Sequence, residues 1–460
     1  MRLRAFFALI VFGTAAWAPH AALAKSRHTS APAGPRVLTL EEAYDITLAT
    51  DQSIRIAYEE VRKANLLPWS ALTRLGPQLT VSGDFGRSGQ TTTRPVTIVT
   101  DNTSGNVVLE SFNSHAGVAS GAINFTQPLI DLTVFPAYRL GKLSMRVARL
   151  EHQYTIRGTL FGLATAYYEV LKQQRLVDVN KETLELGQKQ LNLAQIRADV
   201  GEVTRADVLR AQVVVQTAEQ TLVASQNTLQ LDRNTLGNIL NFAPDTAFSV
   251  TEPPDYPTEL PSFAVLLQRG FDRREDLQVK ILAVDQDIER KNEVLGQYGP
   301  RVVLNATGEI SNNTGSSRSK NQIWSTDLSV QLPILTGGQR EIDLLTARRQ
   351  IEESKLQSEQ QTKIVEADVK QGWLTVQTLS VTLKASKVQV EAAEQSYSDL
   401  ENQYKAGAAT SVDVLTALND LNTARKNLAV QTYDYQVALR NIEQVTGVFQ
   451  EARVQKAKVR

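Results

Sequence analysis

The 460-residue chain contains no cysteine. Disulfide bonds, thiolate metal sites and a nucleophilic thiol are therefore excluded, and so is a lipid anchor attached through cysteine. Aromatic residues make up only 6% of the chain, which is few for a compact enzyme of this length. The four histidines are scattered and form no pair at metal-ligand spacing: His20, His28, His115 and His152. These shortages argue against a metalloenzyme and against a thiol enzyme.

Net charge is also missing, because 49 Lys and Arg residues balance 49 Asp and Glu residues. A nucleic-acid-binding protein needs a basic face, so the balance argues against that class. The sequence has no glycine-rich phosphate loop, no nucleophile elbow and no cluster of metal-ligating residues. We predict that the protein is not an enzyme and that it needs neither a cofactor nor a metal.

Long hydrophobic runs are absent except at the N-terminus. Arg2 and Arg4 precede a largely apolar run, and Ala22-Leu23-Ala24 has the small residues of a signal-peptide cleavage site. Residues 1–24 therefore predict a secretory signal peptide, with a buried N-terminal helix as the alternative. No later stretch approaches the roughly 18 apolar residues of a membrane-spanning helix. An exported chain of this kind can enter a bilayer only through strands.

Proline is absent from two long windows, 137–243 and 334–460. A proline inside a helix costs about 3 kcal/mol, so these windows favour very long helices. Prolines collect instead at positions 253, 254, 257 and 261. We interpret residues 244–262 as a stiff irregular link between two halves of the chain.

The two halves are related by an internal repeat. The segment from Gly201 to Ala211 matches the segment from Gly407 to Ala417, and six of the eleven positions are identical. Apolar heptads continue in the same register on both sides of each segment, for example at Leu163 and Val170 in the first half and at Val369 and Val376 in the second. The sequence thus predicts a first repeat at 25–243, a second repeat at 263–447, and a C-terminal tail at 448–460.

Each repeat is predicted to contain a long antiparallel helical hairpin, at 131–243 and at 334–447. A strict seven-residue period indicates helices that coil around one another with a left-handed twist. Gly201 and Gly407 suit the left-handed conformation that ends a helix, and the pattern Thr-x-x-Asp after each glycine is typical of a helix start. A shorter helix is expected before each hairpin, at about 40–74 and about 263–297.

Four segments with alternating apolar and polar residues lie between these helices, at about 78–127 and about 301–333. Their apolar positions include Leu79, Val81 and Phe85, and later Trp324 and Leu328. The segments have the length of tilted membrane strands, and the stretches between them, roughly 87–116 and 312–321, have the composition of loops. Two soluble hairpins on an apolar core remain the alternative. We favour strands in a membrane, because the flanking helices use their apolar stripes in coiled-coil contacts.

An open four-stranded sheet is not stable in hydrocarbon, because its edges would leave backbone groups without hydrogen bonds. Several copies must therefore combine their strands into one closed barrel. Two copies would give eight strands and a barrel filled by its own side chains, whereas three or more would leave a lumen.

The order of signal peptide, helix, two strands and long hairpin, given twice, resembles the TolC-like outer-membrane efflux family. The most specific shared segment is Tyr404-Lys-Ala-Gly407 followed by Asp413-Val-Leu and Ala417. The resemblance implies a homotrimer with a 12-stranded barrel in the outer membrane and an α-helical tunnel in the periplasm. It also implies an equatorial belt made by 244–262 and the tail after Gly447.

In that family the hairpin tips meet a periplasmic adaptor and close the tunnel like an iris. The resemblance therefore assigns a constriction at the tips to Asp413, Thr416, Asp207 and Tyr404. It assigns contact with the adaptor to the tip turns: Gly201, Val203, Thr204, Gly407 and Thr410. Two positions depart from the family pattern, because Ala409 stands where well-known members have arginine and Thr416 stands where they have a second aspartate.

Simpler interpretations exist for the same residues. Asp207 and Asp413 fit helix capping, which is worth about 1 kcal/mol, as well as a ring of charge on the tunnel axis. Tyr404 fits an ordinary position in the heptad seam as well as a contact that holds the tunnel closed.

The function that follows is a passive outer-membrane channel of a tripartite efflux or type I secretion system. An inner-membrane transporter would supply the energy, and outer-membrane lipid would surround the barrel. The alternative is a soluble periplasmic coiled-coil adaptor or scaffold protein.

Overall fold

The computed structural model of the chain describes residues 36–99, 105–243, 246–254, 260–313 and 319–457. The predicted signal peptide at 1–24 lies outside the described residues, as do parts of the predicted link (244–245 and 255–259) and the last three residues of the predicted tail. The described chain is mainly helical, and its elements occur in the same order in the two halves.

The first half contains two strands, three short helices and a long helical hairpin besides a short N-terminal strand. These elements are β1 (Arg36–Leu38), α1 (Leu40–Thr50), α2 (Gln52–Ala64), α3 (Leu67–Thr73), β2 (Gln78–Val99), β3 (Gly105–Ile130), α4 (Val134–Asp199) and α5 (Arg205–Ile239). The second half repeats this order without a counterpart of α3 and adds one short helix at its end. It contains β4 (Phe248–Val250), α6 (Phe263–Arg273), α7 (Glu275–Gly296), β5 (Arg301–Asn313), β6 (Ser319–Gln331), α8 (Gln339–Lys405), α9 (Ser411–Val445) and α10 (Glu451–Ala457).

The long helices α4 and α8 have 66 and 67 residues, and each is followed by a 35-residue helix that runs back along it. At 1.5 Å per residue each long helix extends about 100 Å. Both helices end in the same way, because Gly201 and Gly407 have φ +79°. The amide of Glu202 donates to the carbonyl of Arg197, and the amide of Ala408 donates to that of Gln403. These bonds form matching Schellman turns, as the glycines predict.

The helices that open each half are not continuous, contrary to the expectation for 40–74 and 263–297. In the first half one extended residue, Asp51, separates α1 from α2, and in the second half Arg274 separates α6 from α7. The Asp51 carboxylate accepts the amide of Ile54 at 3.0 Å and so begins a new helix. Pro68 then stands in the first turn of α3. A side-chain cap thus marks the first break, whereas Arg274 makes no side-chain cap at the second. Thr39 and Glu42 form a capping box at the start of α1.

The four long strands form one antiparallel sheet in the order β2-β3-β5-β6. Its register aligns apolar positions in one row and polar positions in the next. The apolar row is Val81, Ile123, Gly308 and Trp324, and the neighbouring polar row is Thr80, Asn124, Thr307 and Ser325. The apolar face is not covered, since Phe85 is 90% and Trp324 83% exposed. The predicted alternation is confirmed.

The first strand pair is much longer than the second. The loop predicted at roughly 87–116 is therefore wrong, because most of that stretch lies in β2 and β3. Strands β2 and β3 have 22 and 26 residues, whereas β5 and β6 have 13 each. Residues from Gly86 onward in β2 continue to pair with β3 as far as Val99. The stretch contains Thr91, Thr92 and Thr93, and threonine is favoured in strands. The strands also enter both ends of the loop predicted at 312–321.

The largest buried cluster lies around the middle of α4. It joins both halves, because Tyr44 and Ile156 pack with Phe449 from the C-terminal segment. Strands β1 and β4 pair in parallel beside this cluster. The Tyr167 hydroxyl donates to the carbonyl of Thr251 at 2.6 Å and accepts the amide of the same residue at 3.0 Å. No helix in the described part of the chain is both long enough and apolar enough to cross a membrane.

Candidate functional site: the paired hairpin tips

The turns of the two helical hairpins lie side by side at the end of the molecule away from the sheet. A buried cluster joins them: Tyr397, Tyr404, Val414, Ala417, Leu418 and Leu421 of the second hairpin pack with Leu186, Leu193 and Val214 of the first. Tyr397 and Tyr404 are seven residues apart, and so are Val414 and Leu421. Such spacing lets a helix of each hairpin present an apolar stripe to its neighbour. Of the predicted site residues, Tyr404 lies in this contact between the two hairpins.

Both aspartates cap the helix that follows their turn. Asp413 accepts the amide of Thr410 at 2.9 Å and its hydroxyl at 2.6 Å, and Asp207 accepts the amide of Thr204 at 3.1 Å and its hydroxyl at 2.7 Å. The threonine hydroxyl is the main reason that the pKa of each carboxyl lies below its usual range. The capping interpretation is confirmed, and both groups are anionic at neutral pH.

The two aspartates differ in their surroundings. Arg210 lies 3.2 Å from the Asp207 carboxylate, one turn further along α5. The equivalent position in the second tip is Thr416, which is exposed and donates its hydroxyl to the carbonyl of Val412 at 2.8 Å. Asp413 is exposed. The second tip therefore presents a carboxylate to solvent where the first tip pairs its carboxylate with an arginine.

Tyr404 occupies the heptad seam, as its spacing from Tyr397 predicts. Its side chain is buried in the cluster between the hairpins, with 3% exposed. Its hydroxyl is buried and has no hydrogen-bond partner among the described residues. The aromatic ring, rather than the hydroxyl, makes the side-chain contacts of this residue.

Arg197 is the tip residue that our sequence reasoning missed. It lies in the last turn of α4, where its guanidinium donates to the carbonyl of Tyr404 and stands 4.6 Å from the centre of the Tyr404 ring. Its Nε also donates to Glu202 at 2.8 Å. A basic residue just before a capping glycine is a signal that sequence alone provides. That signal indicates only the end of α4 and says nothing of a partner on another hairpin.

The residues predicted to meet an adaptor all lie in the two turns. Gly201, Thr204, Gly407 and Thr410 are exposed, and Val203 is half-buried. A Cβ added to Gly201 would meet nothing within 4 Å, whereas one added to Gly407 would lie 3.8 Å from Arg197. No group of three or more His, Asp or Glu side chains in the described residues is placed to hold a metal ion.

Comparison with known proteins identifies a family and relatives that resemble this chain. The model of the family described as "Outer membrane efflux protein" matches residues 43–241 and 266–448. The chain is 25% identical over 354 residues to outer membrane protein TolC of Escherichia coli (strain K12), a match that spans 74% of this chain and 71% of that protein. It is 23% identical over 297 residues to outer membrane efflux protein BepC of Brucella suis biovar 1 (strain 1330), spanning 63% of each chain.

Solved structures share the fold. The outer membrane protein VceC from Vibrio cholerae aligns with a TM-score of 0.68 at 20% identity, covering 89% of this chain and 96% of that one. The outer-membrane channel OprN aligns with a TM-score of 0.71 at 17% identity, covering 89% of each chain. Since the family model covers most of both repeats, this chain belongs to the outer membrane efflux protein family.

Proposed function

We propose that three copies of this chain form a passive duct through the outer membrane. The duct receives substrates from a periplasmic adaptor and an inner-membrane transporter and releases them outside the cell, in an efflux or type I secretion system. The barrel lies in outer-membrane lipid and the helical hairpins extend into the periplasm. The transporter supplies the energy, so the duct itself needs no catalytic site and no cofactor.

The observation that carries this proposal is the open sheet with one bare apolar face. Within the described sheet, β2 and β6 each pair on one side only. In hydrocarbon the two edges would leave on the order of ten backbone groups unpaired, each costing several kcal/mol. Pairing β2 of one copy with β6 of the next removes this cost. Three copies give 12 strands, whose polar rows face a water-filled lumen.

The relatives support both modes of export. One is the proteases secretion protein PrtF of Dickeya chrysanthemi, 21% identical over 436 residues, and another is the antibiotic efflux pump outer membrane protein ArpC of Pseudomonas putida, 23% identical over 410 residues. In the trimer the tips carry the periplasmic constriction, with Asp413, Thr416, Asp207 and Tyr404. The turns around Gly201, Val203, Thr204, Gly407 and Thr410 meet the adaptor.

A soluble periplasmic adaptor is less well supported, because the apolar face of the sheet is exposed rather than packed on a core. Fractionation separates the two functions. A duct stays with outer membranes through washing at high salt, whereas a peripheral adaptor is released.

A pair of neighbouring substitutions tests which face of the sheet meets lipid. Val81 is 71% exposed on the apolar face, and Ser82 is the next residue on the polar face. An arginine on a lipid-facing position of a barrel costs about 2–4 kcal/mol near the middle of the bilayer, whereas a lumen position tolerates it. We expect Val81→Arg to reduce the amount of trimer in outer membranes severalfold and Ser82→Arg to leave it near the wild-type level. Equal yields of the two variants would contradict the proposal.

A further inference from the structure

A groove of about 1550 Å³ lies beside α2, with His152 of α4 and Arg453 of α10 on its other walls. Six exposed residues form one stripe along α2 and the start of α3: Gln52, Ile56, Glu59, Lys63, Leu66 and Ser70. Their spacing of three or four residues places them on one face of the helix, and the first four line the groove. This face is therefore open in a single copy of the chain.

The internal repeat contains the same face in a covered form. Asp51 aligns with Arg274 at the two breaks. The same number of residues then leads to a Gly-Pro pair, at 76–77 and at 299–300, so α7 is one continuous helix where the first half has α2 and α3. The six residues of α7 that align with the stripe are all buried or half-buried: Glu275, Val279, Leu282, Gln286, Glu289 and Glu293.

Helix α4 is what covers this face of α7. Arg139 of α4 pairs with Glu289 at 2.9 Å, and Gln286 donates to the Ser144 hydroxyl at 3.0 Å. In the second half, the position of the groove is thus filled by the long helix of the first half.

The strand order explains why α4 and α7 are neighbours. β3 leads into α4, α7 leads into β5, and β3 pairs with β5. In the proposed barrel β6 of one copy pairs with β2 of the next. Since β6 leads into α8 and α3 leads into β2, α8 of one copy stands beside α2 and α3 of the next.

Contacts within each half confirm the alignment of the helices. Ala64 of α2 packs with Ala148 of α4. The aligned residues in the second half are Asp287 of α7 and Ser354 of α8, and the serine hydroxyl donates to the aspartate. The opening helices therefore pack on the long helix of their own half at equivalent positions.

The same alignment predicts an apolar contact between copies where the chain has an ion pair. Leu66 aligns with Glu289, and Leu345 of α8 aligns with Arg139. Both leucines are exposed in the single chain, at 64% and 56%. Packing one against the other would remove their apolar surface from water.

We propose that the groove beside α2 and α3 binds α8 of the next copy, with Leu66 packed on Leu345. The contact joins different surfaces of the two copies, as a closed ring of copies requires. Contacts closed by ion pairs within a chain then alternate with apolar contacts between chains. The inference rests on the proposed trimeric duct and adds a periplasmic contact to its strand pairing.

Disulfide trapping in outer membranes tests which surfaces meet. The chain has no cysteine, so Leu66→Cys combined with Leu345→Cys gives one thiol on each side of the contact. We expect oxidation to convert most of the protein into bands of two and three chains on a denaturing, non-reducing gel. A bond within one chain would leave the mass of one chain.

The control combines Leu72→Cys with Leu345→Cys. Leu72 is exposed and aligns with Leu295, which stays 44% exposed although α4 packs on α7. The control pair should therefore remain at the mass of one chain.

An exchange of charges tests the chemistry of the contact. Leu66→Glu or Leu345→Arg alone should reduce the amount of trimer severalfold, because each places a charge against a leucine. Both residues are exposed in one chain, so the helicity by circular dichroism should not change. The double variant recreates the pair of Glu289 and Arg139 and should restore most of the trimer. Its trimer should weaken in high salt and the wild-type trimer should not, since salt screens ion pairs.

Equal trapping of the two cysteine pairs overturns the inference, as does a double charge variant that forms no more trimer than either single variant. A trimer in which Leu66→Cys reacts with a maleimide as fast as Leu72→Cys also overturns it, because the groove would then be open to another occupant. Trapped bands that stop at two chains overturn the proposed trimer and keep the contact. A trapped trimer that opens no channel in planar bilayers overturns the duct alone.

Discussion

The two repeats make the same break in their opening helices with different residues. In both, an 11-residue helix is followed by a single extended residue and a second helix. Asp51 caps α2 with its own carboxylate, whereas Arg274 bonds Asp276 at 2.6 Å and Asp368 at 2.7 Å. Next to the break, the first repeat has exposed Gln52 and the second has buried Glu275. The backbone path has been kept while the interactions that stabilise it have changed.

The two tips also share a backbone path but differ in the residues around it. Both have a glycine at φ +79° and a threonine paired with an aspartate three residues later. The charged neighbours differ, because Arg197 and Arg210 of the first tip correspond to Gln403 and Thr416 of the second. The turn geometry follows from the duplication. The charged groups of the two tips have diverged.

The largest loss of stability should come from removing Glu275, the buried acid beside the second break. Glu275 bonds Arg157 of α4, and both side chains are almost fully buried, at 7% and 4% exposed. Glu275→Ala would leave the Arg157 charge paired only with the carbonyl of Phe449. We expect a loss of about 3–5 kcal/mol in the free energy of unfolding, measured by urea titration in detergent.

The matched variant in the first repeat is Gln52→Ala, at the equivalent exposed position. It should change the free energy of unfolding by less than about 0.5 kcal/mol. The double variant Arg157→Met with Glu275→Met removes both charges and should be less damaging than Glu275→Ala alone. Similar losses for Glu275→Ala and Gln52→Ala would show that the two breaks are equivalent after all.

A smaller loss of stability should come from removing the Asp51 cap at the first break. Asp51→Ala removes the acceptor of the Ile54 amide and should destabilise the protein by about 1 kcal/mol. Asp51→Asn keeps an acceptor and should cost only a few tenths of that amount. Ser53→Ala, in the same turn but exposed, provides the control. Native-state hydrogen exchange of the first turn of α2 would locate the change, and equal protection in all three variants would refute the capping role.

Much of this architecture follows from the sequence, for physical reasons that differ between elements. The hairpin turns follow from local chemistry, since Gly201 and Gly407 with their Thr-x-x-Asp patterns specify both the end of one helix and the start of the next. The sheet faces follow from the two-residue period of a strand. The breaks at Asp51 and Arg274 were not predicted, although each lies in a short run of polar residues, 50–53 and 272–276.

The contact between Arg197 and Tyr404 could not be predicted from the sequence for a different reason. Arg197 and Tyr404 are 207 residues apart, and their contact depends on how two hairpins pack. The long first strand pair was missed because Ser, Thr and Gly residues are as common in loops as on a polar strand face. Local patterns thus predict the turns and alternation, whereas pairings between distant residues require the packed structure.

The smallest expected change is in the ion preference of the duct, and it distinguishes Asp413 from Asp207. Asp207 is paired with Arg210, whereas Asp413 is exposed at the equivalent position of the second tip. We expect Asp413→Asn to lower the preference of the duct for cations by about twofold, and Asp207→Asn to change it less, because Arg210 already offsets that charge. Reversal potentials in planar bilayers under a salt gradient measure both variants.

The pH dependence of the wild type follows from the same hydrogen bonds. The Thr410 hydroxyl and amide lower the pKa of Asp413 from its ordinary value of 3.8. The contribution of this carboxylate to capping is therefore present above its ordinary pKa and is lost as the pH falls through the lowered value. The cation preference that depends on Asp413 should stay constant from neutral pH down to about pH 5 and weaken only below its ordinary pKa. Since Asn does not titrate, Asp413→Asn should remove this dependence, and a variant that still loses cation preference in acid would place the responsible carboxylate elsewhere in the duct.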